Sequence, residues 1–287
     1  MPVSDTTTAA DETVVNDLRE LGIATRTGRL PGADIASGRL AHRTNLVSEL
    51  RDGLIGDYDW FEGDVSMVDG VVVMRHDAGK PVELTLAAWL SVVVPSGRGM
   101  KFDVKDRAAL LPIAAAVAAI FSARDPAVCP PVIMNGAIGH GSTTVDVTTD
   151  DLRAIRAALP GAIIAITVSR EPYLAARLTA AIDIVAGIEG PIAFVLVAVF
   201  TTRRVVERLK PYGAVCIWNS PHNYAPANIG RATRHFRKIG VNGMIDLRPG
   251  ERWPAIVMTP MIHAWIHLID VLLLLSRGHM QRKLRQR

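Results

Sequence analysis

The stretch G-M-K-F-D-V at residues 99–104 decides how this chain folds. Its apolar residues are interrupted only by Lys101 and Asp103, a pattern typical of a strand buried on both faces of a parallel sheet. Seven further runs of this kind occur at residues 38–43, 60–65, 131–136, 162–169, 192–200, 214–219 and 243–248. Most runs begin 22 to 32 residues after the preceding one, which is about the length of one βα unit.

Eight such units predict an α/β protein with a single TIM-type (β/α)8 barrel, and a length of 287 residues suits that fold. The residues between the second and third runs include V-V-V-M-R-H at 71–76, which follows the turn Asp69-Gly70 and predicts a short hairpin after the second strand. A doubly wound open sheet is the alternative, but the glycine-rich turn that often follows its first strand is missing here. Helical spacing is found at residues 14–22, 107–121, 149–159, 172–188, 202–210 and 227–239.

Both ends of the chain differ in composition from the predicted barrel domain, residues 14–276. Residues 1–13 are polar and acidic, which predicts a disordered N-terminus without a secretory signal and therefore a cytoplasmic location. Residues 277–287 form a basic tail with five of the 32 basic residues, and the remaining 27 balance 28 acidic residues. The net charge of +4 therefore gives no indication of nucleic-acid binding.

Acidic residues interrupt the second and third runs near their carboxyl ends, where barrel enzymes have their active sites. Because side chains alternate along a strand, Glu62 and Asp64 point the same way, and Asp103 ends the next run. Three carboxylates at one barrel mouth repel one another unless a cation lies between them. Oxygen ligands favour Mg²⁺, with Ca²⁺ as the alternative. We therefore expect Glu62, Asp64 and Asp103 to bind a divalent cation.

Two histidines occupy comparable positions, since His42 ends the first run and His76 ends the hairpin. They are predicted to serve as general acid and general base near neutral pH. Each of these residues alone would be read as a solvated strand end or a satisfied core residue. A functional site is favoured because several polar residues interrupt apolar strands in one layer, where burial without partners is costly.

Other side chains near the same strand ends are predicted to bind substrate. Lys105 would pair with a phosphate group or hold Asp103 in place, and Trp218 would pack over a ligand or plug the barrel. The predicted substrate-binding residues are Arg43, Asn45, Lys105, Asn135 and Trp218.

Several segments resemble the menorin family, a branch of the superfamily that contains glycerophosphodiester phosphodiesterases and sphingomyelinase D. They include A-H-R-T-N-L-V-S-E-L at 41–50, F-E-G-D-V at 61–65, V-V-V-M-R-H-D at 71–77 and S-G-R-G-M-K-F-D-V-K at 96–105. The resemblance continues through P-V-I-M-N-G-A-I at 131–138, A-V-C-I-W-N-S-P-H-N-Y at 214–224 and G-M-I-D-L-R-P at 243–249.

This resemblance implies a site and an activity. His42 and His76 match the acid and base of the phosphodiesterases, and the metal ligands match Glu62, Asp64 and Asp103, with Lys105 as the lysine that follows. The implied substrate is a phosphodiester of the glycerophosphodiester or lysophospholipid type. The chain departs from the phosphodiesterase pattern at Thr44, where a glycine is expected after His-Arg, and Thr44 followed by Asn45 is the menorin style. It departs from the usual menorin sequence at residues 166–170.

Two functions are therefore expected as alternatives. The first is a metal-dependent phosphodiesterase-like enzyme, and the second is a non-catalytic barrel that binds a phosphorylated or lipid ligand or a protein partner. The apolar residues 254–276 are predicted to form the eighth barrel helix. Peripheral membrane contact or a homo-oligomer contact through residues 256–287 is the alternative, because apolar length and clustered basic residues suit an anionic membrane.

Overall fold

The computed structural model describes residues 10–25, 35–36, 38–77, 79–138, 147–168, 175–219, 226 and 228–248. Eight parallel strands alternate with helices in a nearly closed barrel, which confirms the predicted (β/α)8 fold. The strands are β1 Leu40–Ala41, β2 Trp60–Val68, β3 Val71–Met74, β4 Gly99–Val104, β5 Val132–Ile138, β6 Ile163–Val168, β7 Ile192–Val197, β8 Ala214–Trp218 and β9 Ile245–Asp246. The helices are α1 Glu12–Ala24, α2 Val47–Ile55, α3 Leu86–Ser96, α4 Leu110–Ser122, α5 Thr149–Ala158, α6 Ala175–Val185, α7 Arg203–Leu209 and α8 Ile229–Lys238.

The strands follow one another around the barrel in the order β1-β2-β4-β5-β6-β7-β8-β9, and every neighbouring pair is parallel. Strand β3 lies outside this order and pairs antiparallel with β2, with Val65 opposite Met74, so the predicted hairpin is confirmed. Among the described residues, β9 and β1 share no backbone pairing. Side chains instead approach each other across this gap, where His42 Nδ1 lies 3.6 Å from Asp246 Oδ2.

Alternation along the strands divides the interior of the barrel into an apolar layer and a polar layer. The apolar layer lies toward the amino ends of the strands and contains Trp60, Ile133, Ile163, Ala165, Ala193, Val195, Cys216 and Met244. Trp60 is fully buried, and a Cβ atom at Gly99 would lie only 2.4 Å from its ring. Glycine therefore lets β4 pass close to this indole, which closes the barrel beneath the polar layer.

The opposite strand faces pack against the helices and form the larger core. Helices α2 and α3 were not among the predicted helical segments. Helix α3 begins after Thr85, whose hydroxyl accepts a hydrogen bond from Ala88 N at 3.1 Å, and ends at Gly97 in a left-handed conformation. Helix α1 packs against α3 at Gly22, where an added Cβ would lie 3.1 Å from Val92 O. Gly22 thus lies within α1 and allows close helix contact; it does not end the helix.

Some expectations fall on residues that the structure does not describe. They include part of the predicted disordered N-terminus, the eighth helix predicted at 254–276 and the basic tail at 277–287. Within the described part of the chain, no helix combines the length and the apolar character needed to cross a bilayer.

Candidate functional site

The polar layer of the barrel is built by register between β2 and β4. Glu62 pairs with Lys101 and Asp64 pairs with Asp103 on neighbouring parallel strands. The two β2 carboxylates are almost completely buried, with Glu62 at 0% and Asp64 at 1% exposure. Burying ionised carboxylates is costly unless they are paired and hydrogen-bonded, so the partners of these groups decide what the layer can do.

Glu62 lies between two basic side chains. One of its oxygens contacts the Lys101 ammonium and the other contacts His42 Nδ1. Burial opposes ionisation of Glu62, but Lys101 and His42 outweigh it and hold the pKa of this carboxyl well below its usual range. Burial also opposes the charge on Lys101, yet Glu62 and Asp103 raise its pKa above the usual range. Glu62 and Lys101 therefore form a buried ion pair that holds His42 at the barrel mouth.

The two aspartates share the ammonium of Lys105. Its Nζ lies 3.0 Å from Asp64 Oδ1 and 2.7 Å from Asp103 Oδ2. Asn45 clamps Asp64 at two points, donating to Asp64 Oδ2 at 2.7 Å and accepting from the Asp64 amide at 2.8 Å. Asn135 donates to Asp103 Oδ1 at 2.9 Å. Burial opposes the charge on Lys105, but Asp103 and Asp64 raise its pKa.

Sequence reasoning missed two polar side chains of this layer, Thr167 and Asp246. Thr167 donates to Asn135 Oδ1 at 3.0 Å and so orients the amide that binds Asp103. Asp246 lies 3.6 Å from both His42 and Arg248 across the gap between the last and first strands. Thr167 and Asp246 also lie in predicted strands, and their alternation with buried neighbours was the available signal.

His76 and Arg43 form a second polar group beside this network. Arg43 has a left-handed backbone with φ of 59°, a conformation that costs a non-glycine residue about 1 kcal/mol. Its guanidinium lies 3.2 Å from His76 Nε2, and His76 Nδ1 lies 2.7 Å from Asp77 Oδ1. Because a guanidinium only donates hydrogen bonds, Nε2 accepts and the Nδ1 proton is donated to Asp77. The hydrogen bond from His76 lowers the pKa of Asp77.

The structure thus brings most of the predicted site residues together. Side-chain contacts form two clusters on neighbouring strands, His42 and Glu62 with Lys101, and Asn45, Asp64, Asp103, Lys105 and Asn135. His76 and Arg43 pair with each other, and no contact among the described residues joins them to the carboxylates. Trp218 packs against the apolar layer and pairs in register with Asp246. In the part of the chain that the structure describes, no three His, Cys, Asp or Glu side chains are already arranged as metal ligands.

Comparisons with solved structures find only distant similarity. The intracellular xylanase TsXylA from Thermoanaerobacterium saccharolyticum JW/SL-YS485 superposes with a TM-score of 0.45 and 8% identity, covering 79% of this chain and 88% of the xylanase. A 2,3-dimethylmalate lyase of the PEP mutase/isocitrate lyase superfamily gives a TM-score of 0.43 and 14% identity, covering 92% and 87%. Both identities are too low to indicate a shared function.

Sequence comparison is more specific. No curated protein matches the chain. Residues 34–228, well over half of the chain, match the Menorin N-terminal domain. The matched segment begins before β1 and ends just before α8, so it includes the strands that carry Glu62, Asp64 and Asp103. The chain therefore belongs to the menorin family.

Proposed function

We propose that this chain is a phosphodiesterase-like enzyme of the superfamily that contains glycerophosphodiester phosphodiesterases and sphingomyelinase D. It would act on a phosphodiester of the glycerophosphodiester or lysophospholipid type through acid–base catalysis by His42 and His76 at a divalent cation. The observation that carries the proposal is the layer of buried carboxylates at the barrel mouth, next to His42. Buried carboxylates at the carboxyl ends of barrel strands are typical of catalytic sites, which supports the proposal.

The proposed metal ligands are Glu62, Asp64 and Asp103, with Mg²⁺ favoured over Ca²⁺. Two of these ligands already share a cationic group, because the Lys105 ammonium contacts both aspartates, and this supports a metal between them. When bound, the metal would neutralise the non-bridging phosphate oxygens and polarise the phosphorus. Metal binding would compete with Lys105 for the aspartates and with Lys101 and His42 for Glu62, since no ready set of ligands is present among the described residues.

The two histidines have surroundings that suit different roles. His76 Nε2 is a hydrogen-bond acceptor whose ring is held by Asp77, as a base needs to be when it removes a proton from water or a substrate hydroxyl. His42 contacts the carboxylates of Glu62 and Asp246, an arrangement that suits a proton donor to the leaving alkoxide. Arg43, Lys105, Asn45, Asn135 and Trp218 would bind the substrate around them.

Calorimetric titration tests the metal site directly. Wild type should bind Mg²⁺, Asp64→Asn should bind it more weakly, and Lys105→Met should bind it more tightly because the competing ammonium is removed. Ca²⁺ and Mn²⁺ would be titrated in parallel. Equal affinity in wild type and Asp64→Asn would exclude this site, as would the absence of binding in all three proteins.

Turnover tests the activity. A panel of glycerophospho- and lysophospho-diesters is assayed with added Mg²⁺. His42→Ala and His76→Ala should each lower the rate by about a hundred- to ten-thousand-fold, the usual contribution of a positioned acid or base. His235→Ala, on the exposed surface of α8, is the matched control. If a substrate is found and both active-site variants keep the wild-type rate, the proposed mechanism is wrong.

A specific observation favours the second candidate, a non-catalytic barrel that binds a phosphorylated or lipid ligand or a protein partner. Both oxygens of each of the three carboxylates already contact a donor group of the chain. Asp64 and Asp103 are thus paired through both oxygens without a metal, whereas Glu62 Oε2 lies against His42 Nδ1 without forming a hydrogen bond. Binding of a phosphodiester without turnover, and without a requirement for Mg²⁺, would support this function over the enzyme.

A further inference from the structure

Helices α7 and α8 carry exposed basic residues on their outer surfaces. We call this set the basic face; it consists of Arg203, Arg204, Arg208, Lys210, Arg231, Arg234 and Lys238. The two helices flank β8, and neighbouring helices of such a barrel lie side by side. A Cβ atom at Gly240, just after α8, would lie 3.5 Å from Val206 Cγ1 of α7, so the turn that follows α8 lies close to α7.

The segment that contains α7 and α8 has a large excess of basic residues. Residues 201–248 contain nine basic and two acidic residues, Glu207 and Asp246, and Asp246 belongs to the barrel mouth. Residues 1–200 contain 17 basic and 24 acidic residues, whereas residues 201–287 contain 15 and 4. The near-neutral total therefore conceals a strong separation of charge along the chain.

Four cations of the basic face are also unpaired in the part of the chain that the structure describes. Within the described ranges, Arg203, Arg204, Arg231 and Arg234 form no salt bridge or hydrogen bond through their guanidinium groups. Some basic residues elsewhere are paired: Arg153 of α5 lies 2.9 Å from Asp150, and Arg107 before α4 lies 3.0 Å from Asp151. Clustered like charges repel one another, so this face would gain stability from an anionic partner.

We infer that the basic face binds an anionic lipid surface. Two exposed side chains at its edges suit a lipid–water interface, Tyr212 at 49% and Ile229 at 37% exposure. In sequence, this region is followed by the apolar residues 254–276 and then by the basic tail, both of which favour the same partner. Single-stranded nucleic acid is a poorer fit, because Phe236, which lies among the arginines of α8, is fully buried and offers no surface for base stacking.

One end of the basic face lies next to the barrel mouth. Helices α7 and α8 begin after the carboxyl ends of β7 and β8, so Arg203, Arg204 and Arg231 lie toward the mouth and Lys210 and Lys238 toward the opposite end. A membrane bound to this face would therefore lie beside the mouth. This inference does not rest on the proposed enzyme activity, since lipid binding is measured without turnover.

Vesicle sedimentation with the full-length chain tests the inference. Wild type should bind vesicles of phosphatidylcholine and phosphatidylserine, should not bind phosphatidylcholine alone, and should lose binding as salt is raised. Each basic residue at such a surface contributes about fivefold to binding. The charge-reversed variant Arg204→Glu/Arg231→Glu/Arg234→Glu should therefore bind the vesicles at least about a hundredfold more weakly than wild type.

A matched control carries the same change in charge elsewhere: Arg51→Glu/Lys80→Glu/Arg124→Glu, at three exposed positions outside the basic face. It should bind as wild type does. If circular dichroism shows that the charge-reversed variant is misfolded, the corresponding Arg→Gln triple replaces it and should still lose binding.

Three results would overturn the inference. The first is no binding of wild type to phosphatidylserine vesicles. The second is equal loss in the charge-reversed variant and its control, which would make total charge or the basic tail responsible. The third is tighter binding of wild type to a short DNA duplex than to vesicles at the same salt, which would make nucleic acid the partner.

Discussion

The buried pair of Glu62 and Lys101 should be a strongly coupled element of the barrel, and a double-mutant cycle measures that coupling. Glu62 is completely buried and contacts the ammonium with one oxygen and His42 with the other. Lys101→Met removes the ammonium and leaves a buried carboxylate that retains only His42. Glu62→Gln removes the negative charge and leaves an amide next to the ammonium. The double variant replaces the ion pair with two neutral side chains of similar volume.

The magnitudes follow from how much charge each variant leaves unpaired. Breaking a buried ion pair by removing one partner costs about 3–5 kcal/mol. Lys101→Met should cost about 3 kcal/mol, the lower end of this range, because Glu62 keeps its contact with His42. Glu62→Gln should cost about 2 kcal/mol, because Lys101 still has a hydrogen-bond acceptor and the charge of Asp103. The double variant leaves no unpaired charge at this position and should cost about 2 kcal/mol in total, so the coupling energy is about 3 kcal/mol.

Urea unfolding followed by circular dichroism is the assay, with Lys80→Met as the control at an exposed lysine. The control should stay within about 0.5 kcal/mol of wild type. Lys101→Met should also lower Tm by about 6 °C, since 1 kcal/mol corresponds to about 2 °C in a chain of this size. The reasoning is refuted if Lys101→Met unfolds like wild type or if the two single effects simply add.

The same pair predicts a pH dependence. The pKa of Glu62 is lowered in the folded chain from its ordinary value of 4.5. Its contribution to stability is therefore fully present above about pH 4.5 and is lost as the pH falls toward the folded pKa. The difference in unfolding free energy between wild type and Glu62→Gln should thus be constant near neutral pH and shrink below pH 4.5. A difference that stays constant down to pH 3 would contradict the assignment.

Three further predictions concern packing, orientation and the C-terminus. Gly99→Ala should destabilise the chain by about 1–3 kcal/mol in urea unfolding, because the new methyl group would overlap the buried ring of Trp60. Thr167→Val should weaken phosphodiester binding with little effect on Tm, because it removes the hydroxyl that orients Asn135; binding equal to wild type would show that this hydrogen bond is dispensable. Truncation after Gly250 should cause aggregation by exposing apolar barrel surface, whereas a monomeric, folded product in gel filtration would support a separate role for the residues removed.

The strands of the barrel were predictable because their sequences reflect burial on both faces. Continuous apolar runs such as those around Phe102 and Phe194 occur where one face packs inside the barrel and the other packs under helices. Helix α3 has the same composition for another reason. Its sequence L-A-A-W-L-S-V-V-V-P-S is almost entirely apolar, since it packs against both α1 and the strands, and so it lacks a polar stripe that would show helical periodicity. Its cap residues, Thr85 and Gly97, were the remaining signals.

The residues of the site were predictable one by one, but their pairing was not. The charged positions of β2 and β4 follow from alternation within each strand. Which side chains become neighbours depends on the register between the strands. This register places Glu62 beside Lys101 and Asp64 beside Asp103. Spacing along the chain does not determine that register, so the sequence analysis placed Lys105 beside Asp103 as one alternative but did not predict that Lys105 also contacts Asp64 or that Lys101 contacts Glu62. Barrel closure, which brings Asp246 to His42, is likewise a property of the whole fold.

The basic face on the surface of the molecule was also not predictable from the sequence, because it depends on where the fold places each charge. Counting charges along the chain assigns the basic excess to residues 277–287, because 24 acidic residues in positions 1–200 offset the arginines of α7 and α8. Acidic and basic residues that cancel in the net charge of the chain do not neutralise each other when they lie on different sides of the barrel. Exposed charges separated by more than about 10 Å are largely screened from one another. The arginines of α7 and α8 therefore act as a local positive field, and the acidic residues of earlier helices do not cancel it.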